Sequence, residues 1–245
     1  MKKCNEVGYI NKIDSYSTLD GSGIRSVVFL HGCNLRCACC HNPETWGCST
    51  YQKITVSELV DKLIHYKSYY GDDGGITFSG GEPLLQKDFV LSAVKCFLKN
   101  DIKSIVETSA NVEIDAKLTE ILKLLDYVIC DLKFPTNESY QKYALGSLDK
   151  TLQFLDLCKT LNKKVWIRTV IIPNINDSKE MLKGYKKIIK NYPNVFRWEL
   201  LPFSKLGFGK YDELKIENRL KGIVNLDMAK FEALQKDFEF NKSKK

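Results

Sequence analysis

The residues with the most evident chemistry are four thiols within eight positions, in the run His31-Gly32-Cys33-Asn34-Leu35-Arg36-Cys37-Ala38-Cys39-Cys40-His41-Asn42-Pro43. Where thiols stay reduced, such a cluster points to metal or redox chemistry rather than to disulfides. The spacing Cys33-x3-Cys37-x2-Cys40 offers three thiolates from one tight loop. A cubane [4Fe–4S] cluster takes four ligands, normally cysteine, so three leave one iron open to a small molecule. An open coordination position marks a catalytic rather than a structural metal. Three other readings stand beside this one. A register that uses Cys39 is open. A structural zinc site could draw on His41, although such sites join separated pairs and adjacent Cys40 and His41 are badly placed around one tetrahedral ion. The blandest reading is chance burial of four cysteines among Gly, Asn and Arg. The other five cysteines, Cys4, Cys48, Cys96, Cys130 and Cys158, are scattered. Cys96 and Cys158 lie among apolar neighbours and read as small core residues.

The elements that must position these groups alternate along the chain. Apolar and β-branched runs predict strands over 24–31, 75–79, 102–107, 127–132, 164–172 and 195–201. Helical spacing predicts helices over 56–70 with Ser57 as cap, and over 86–100, 114–125, 147–161, 178–191 and 226–238. Six strands with helices between most of them predict parallel βα repeats with right-handed connections. A doubly wound sheet and an incomplete barrel both satisfy this pattern, and both place chemistry beyond the C-terminal ends of the strands. The unusual polar groups fall at those ends. The cysteine loop follows strand one and Gly80-Gly81-Glu82 follows strand two. Glu107-Thr108 ends strand three and Asp131-Leu132-Lys133 ends strand four. Arg168 lies within strand five, and Pro202-Phe203-Ser204 follows strand six.

Composition narrows the classes further. With 44% hydrophobic and 27% charged residues, the 245-residue chain is neither disordered, collagenous nor coiled coil as a whole. A monomer this long buries roughly 70–75% of its unfolded surface, which suits a single domain over 1–245, with two as the fallback. No apolar run approaches the ~18 residues of a membrane helix, and Met1-Lys2-Lys3 has no apolar stretch behind it, so neither membrane nor signal peptide is expected and the cytoplasm is. The net charge of +7 is largely lysine. Lys183, Lys186, Lys187 and Lys190 share one helical face that reads as solvated, and Lys242, Lys244 and Lys245 read as a frayed tail. No basic stripe interleaved with aromatics suggests nucleic acid. A mild positive field suits an acidic protein partner.

Taken together, Cys33-x3-Cys37-x2-Cys40 and Gly80-Gly81-Glu82-Pro83 resemble the radical S-adenosylmethionine (SAM) superfamily. The stretches Asp20-Gly21-Ser22-Gly23-Ile24-Arg25, Cys40-His41-Asn42-Pro43 and Trp46 narrow the resemblance to its glycyl-radical-enzyme activases. Val165-Trp166-Ile167-Arg168, Glu199-Leu200-Leu201-Pro202-Phe203 and Leu206-Gly207 are similar to the formate-lyase type within that family. The likeness runs from about residue 8 to residue 211. A ferredoxin-like insert, which many related activases carry, is absent.

The resemblance implies an α/β partial (β/α)6 TIM-like barrel of the radical SAM type. It implies one [4Fe–4S] cluster held by Cys33, Cys37 and Cys40, whose open iron chelates SAM. Reductive cleavage of SAM would give methionine and a 5′-deoxyadenosyl radical, which takes a hydrogen from a backbone glycine of a partner enzyme. The implied SAM-binding positions are Cys39, His41, Gly80, Gly81, Glu82, Asp131, Leu132, Lys133, Arg168 and Ser204. For Arg168, pairing with a carboxylate is a competing structural role, since a buried arginine needs a partner. Glu107, Thr108, Ile129 and Asp131 match a monovalent cation site, and Asp20 matches a residue that engages the partner's glycine loop. The implied partners are a glycyl radical enzyme such as pyruvate formate-lyase and a flavodoxin or ferredoxin as electron donor, the activase itself being a monomer. Four positions depart from the family pattern: Cys39 in place of an adenine-stacking aromatic, Ser22 for proline, Ser204 for histidine and Glu107 for aspartate. An activase of another glycyl radical enzyme, such as a 2-ketobutyrate formate-lyase-like one, and a non-catalytic metal-binding or electron-carrier protein are the alternatives.

Overall fold

The computed structural model of the chain describes residues 5–47 and 50–242. The chain divides into two compact units, one made of residues 1–34, 44–108 and 112–129, the other of 35–43, 109–111 and 130–245.

In the first unit, β1 (Val7–Ser17), β2 (Arg25–Leu30), β3 (Gln52–Thr55), β4 (Gly75–Gly80) and β5 (Ser104–Thr108) stand in the order β3-β1-β2-β4-β5. The β2–β4 and β4–β5 pairs are parallel, and β1 is antiparallel to both β2 and β3. β2 is buried at Ser26, Val27, Val28 and Leu30, the near-continuous apolar run of a strand covered on both faces. Helix α1 (Val56–Leu63) starts at a capping box. The Thr55 side chain accepts from the Glu58 amide at 3.2 Å, and the Glu58 carboxylate accepts from the Thr55 amide at 2.7 Å. Thr55, not Ser57, is therefore the cap. The helix expected over 56–70 is interrupted by a 3-10 turn at Ile64–Tyr66 before the short α2 (Lys67–Tyr70). β-branched and aromatic residues there lose rotamer freedom in a regular helix, and buried Tyr70 hydrogen-bonds Ser26 at 2.7 Å. Helix α3 (Lys87–Leu98) buries Phe89, Val90, Ala93, Val94 and Phe97, leaving Cys96 half-buried. Helix α4 (Ala116–Leu124) is capped by Asp115.

β6 (Val128–Asp131) begins in the first unit, where the Asp126 amide bonds the Ser104 carbonyl at 3.0 Å. It ends in the second, where the Leu132 amide bonds Arg168 O at 3.0 Å. There follow α5 (Asn137–Ala144), α6 (Leu148–Thr160), β7 (Val165–Ile171), α7 (Lys179–Ile189), β8 (Val195–Pro202), α8 (Phe208–Glu213), α9 (Met228–Phe238) and β9 (Phe240–Asn241). β7 and β8 are parallel and β9 is antiparallel to β8. Trp198 and Cys158 are fully buried in this unit, and the Trp198 indole donates to Thr169 Oγ1 at 3.1 Å.

The described residues hold nine strands rather than six. β1, β3 and β9 are antiparallel additions to the parallel pairs. β1 escaped the periodicity because Asn11, Lys12, Asp14 and Ser15 break its apolar alternation, and pairing on two sides supplies what the pattern lacks. Lys183, Lys186, Lys187 and Lys190 are exposed, as expected. Lys242 is not frayed. Its amide bonds the Phe196 carbonyl at 2.7 Å and its ammonium the Val195 carbonyl at 2.8 Å. Cys4, Cys48, Lys244 and Lys245 lie outside the described residues. Among those described, no helix is long and apolar enough to cross a membrane.

Candidate functional site

Parallel pairing of β2 with β4 sets Leu30 opposite Gly80, so the turns that follow the two strands start side by side. The Gly81 amide donates to Leu30 O and the Glu82 amide to Gly32 O, both at 2.8 Å. The Gly32 amide in turn donates to Thr45 O at 2.8 Å. Gly80 has φ +103°, and a Cβ on Gly81 would lie 2.1 Å from Gly32 O. Both glycines are thus required by the neighbouring main chain. Glu82 is fully buried. Its carboxylate accepts from the Leu84 amide at 3.1 Å and from Thr108 Oγ1 at 2.7 Å, capping the short 3-10 turn Pro83–Leu85. Ser79 donates to Glu107 Oε2 at 2.7 Å. The ends of β4 and β5 are therefore joined twice by side chains. Ile129 is buried in β6.

The loop ahead of β2 is built around Arg25, whose guanidinium is fully buried and donates to Thr77 Oγ1, Ser22 O, Asp73 O and Ile76 O. Burial lowers its pKa. Asp20 accepts from Ser17 Oγ at 2.5 Å, and its carbonyl accepts from Thr77 Oγ1.

In the second unit the cysteine loop runs along the end of α5. The Arg36 amide donates to Ala144 O at 2.9 Å and the Ala38 amide to Tyr143 O at 2.7 Å. Leu35 and Ala38 are buried, whereas Cys37, Cys39 and Cys40 are half-buried and outside any disulfide. The Cys40 amide turns back to Cys37 O at 3.1 Å. Tyr211 of α8 donates to Cys40 O at 2.9 Å, and Lys210 donates to His41 O at 2.8 Å. His41 Nε2 lies 3.0 Å from Ser204 O, so two of the expected SAM-binding positions do meet. Gly207 abuts the His41 main chain, where a Cβ would lie 3.1 Å from its Cα.

Lys133 forms a 2.5 Å ion pair with Asp131. Burial works against the lysine's charge, yet Asp131, Cys37 and Cys39 together raise its pKa. Burial also raises the Cys37 thiol, opposed by Lys133 and Arg219, and pushes Cys39 up to about 12. The 131–133 segment is held by Tyr140, which accepts from the Lys133 amide at 3.3 Å, and by Tyr185, which donates to Lys133 O at 2.7 Å. Leu132 is buried. Arg168 is buried, donates to Glu199 at 2.9 Å, a carboxylate partner of the kind a buried arginine needs, and lies over Trp166 at 4.6 Å. Arg197 shares both partners.

The donor set suits an iron–sulfur cluster in its chemistry: half-buried cysteines outside any disulfide, on a loop whose main chain is already engaged. Among the described residues, no three His, Cys, Asp or Glu side chains are gathered around one metal ion. Sequence reasoning missed Tyr211, Lys210, Arg219 and Tyr140. Of these, Lys210 and Tyr211 had a signal, three and four residues beyond the Leu206-Gly207 motif.

A family model described as a 4Fe-4S single cluster domain matches residues 19–153. The fold is similar to that of SuiB from Streptococcus suis bound to S-adenosylmethionine, with a TM-score of 0.61 at 16% identity over 87% of this chain and 42% of that longer one. An α/β fold with parallel pairing and a cysteine loop after a strand is thus the fold of solved radical SAM enzymes, carried here with a 4Fe-4S single cluster domain. A pyruvate formate-lyase-activating enzyme from Clostridium pasteurianum is 39% identical over 235 residues, 94% of this chain and 96% of that one. One from Staphylococcus epidermidis is 34% identical over 223 residues, 88% and 89% of the respective chains. The chain belongs to the family of pyruvate formate-lyase-activating enzymes.

Proposed function

We propose that this protein activates a glycyl radical enzyme, pyruvate formate-lyase in the first instance, by generating a radical on a backbone glycine. Cys33, Cys37 and Cys40 would hold a [4Fe–4S] cluster with SAM at its open iron; with one electron from an external donor, the group would supply reductive cleavage of the C5′–S bond to methionine and a 5′-deoxyadenosyl radical able to take the glycine hydrogen. The observation that carries the reading is a cysteine loop whose backbone is hydrogen-bonded into the fold while its half-buried cysteines form no disulfide.

The chain's own part is placement and exclusion of water. The Gly80-Gly81-Glu82 turn acts as a main-chain platform, and the Glu82 carboxylate, held by Thr108 and Leu84, orients a hydrogen bond near the methionine ammonium. His41, Cys39 and Ser204 offer main-chain atoms to the adenine. Asp131, Leu132 and Lys133 face the methionine and ribose, with Lys133 a charge-assisted donor. Arg168, paired with Glu199, belongs to the same SAM-binding set. Asp20 meets the partner's glycine loop. Glu107, Thr108, Ile129 and Asp131 make the monovalent cation site. A single domain, a monomer, the cytoplasm as the reducing compartment and a flavodoxin or ferredoxin donor complete the proposal.

The test is anaerobic. Iron-reconstituted protein is reduced and SAM is added. A changed cluster EPR signal with 5′-deoxyadenosine formation supports an activase. Stoichiometric zinc without iron, and no response to SAM, would show a metal-binding protein instead. Glycyl-radical formation on pyruvate formate-lyase and on a 2-ketobutyrate formate-lyase, assayed side by side, separates the two activase readings.

A further inference from the structure

Residues 214–227, between α8 and α9, belong to none of the motifs above, yet they send one side chain back to the cysteine loop. The last carbonyls of a helix have no partner within it. At the end of α5, Arg219 Nη1 donates to Lys142 O at 2.9 Å and Nη2 donates to Tyr143 O at 3.3 Å. Nη2 also donates to Arg36 O, inside the cysteine loop. The same stretch of α5 receives the loop's own amides, Arg36 N to Ala144 O and Ala38 N to Tyr143 O. One planar guanidinium therefore ties the loop's carbonyl to the helix end that holds the loop's amides. A lysine has the charge but not the fork. The cation also sits where the helix dipole favours it.

We propose that Arg219 is a positioning residue that locks the cysteine loop onto the end of α5 and keeps a fixed positive charge at Arg36 O, within that loop and one residue before Cys37. The lock is a property of the metal-free chain. Its consequence rests on the function proposed above: a cluster held by this loop gains electron affinity from the nearby cation, so it reduces at a higher potential.

Two measurements test it. The first is hydrogen exchange on the full metal-free chain. Removing one charge-assisted tie worth about 1.4 kcal/mol makes the amides of residues 36 and 38 exchange about tenfold faster in R219A, with α3 unchanged. R219K also loses protection there, because it cannot span three carbonyls. Exchange within twofold of the parent chain in a folded R219A overturns the lock, and R219Q decides by the same limit if R219A does not fold. The second is EPR-monitored potentiometry after reconstitution. R219A titrates at a more negative potential than the parent, and R219K returns most of the way. Equal potentials in all three overturn the electrostatic role. If the parent assembles no cluster, the proposed function fails, while the exchange experiment still decides the lock.

Discussion

The amide of Glu82 donates to the carbonyl of Gly32 at 2.8 Å, one residue before Cys33. The turn after β4 is thus fixed to the start of the cysteine loop by main-chain bonds, and the Glu82 side chain is free of that task. It points inward to Thr108 and Leu84 instead.

That arrangement predicts a cost for any side chain at Gly81. A Cβ would lie 2.1 Å from Gly32 O. G81A is expected to destabilise the metal-free chain by about 1–3 kcal/mol, the range for overpacking. At roughly 2–4 °C per kcal/mol for a chain this long, the melting temperature falls by several degrees. G222A, with nothing within 4 Å of the added Cβ, is the control and stays within about 0.5 kcal/mol. A silent G81A in thermal denaturation would mean that the two turns are not packed as described.

The ligand register is decided by single replacements. C37A is expected to lose iron and reduce 5′-deoxyadenosine formation to background. C39A keeps both, because the preferred ligand set does not use Cys39. Iron analysis and product chromatography on the reconstituted variants read this out. Activity surviving in C37A, or lost with the iron in C39A, would reassign the ligands.

Arg25 organises the loop that carries Asp20. Its four acceptors are a hydroxyl and three carbonyls. Lysine reaches only part of that set, and each lost bond to a buried charge is worth about 1.5–3 kcal/mol. R25K is expected to lower stability by about 3 kcal/mol and to speed amide exchange across residues 20–25. Denaturant unfolding unchanged by R25K would remove Arg25 from this role.

A pH-dependent contribution is expected at the start of α4. The Lys87 ammonium, at 2.7 Å, and the Leu118 amide, also at 2.7 Å, hold the Asp115 carboxyl below its ordinary value of 3.8. A carboxyl with a depressed folded-state pKa stabilises above its unfolded pKa, and the contribution fades as pH falls through the folded one. D115A should therefore melt a few degrees below the parent near pH 6, with the loss of an N-cap costing about 1 kcal/mol. The gap should narrow only below about pH 3.8. A gap independent of pH down to pH 2.5 would exclude the charged contribution.

What the sequence determined by itself was local. The x3-x2 spacing of three cysteines, the apolar runs behind β2, β4 and β7, and the helical faces of α3 and α7 depend on neighbours a few positions apart. They survive in the structure within a residue or two at each end. The elements that were missed lack such a signal: β1 is polar along much of its length, and α5 carries few apolar residues. The fates of the site side chains were settled at longer range. The partner of the buried Glu82 carboxylate, Thr108, lies 26 positions away. Arg168 sits among β-branched residues, and its carboxylate partner, Glu199, lies 31 positions on. Arg219 meets the cysteine loop across 183 positions. Periodicity and spacing encode which groups lie near each other along the chain; which buried donor satisfies which acceptor is set only when distant segments pack, because an unpaired buried polar group costs more than its local geometry reveals.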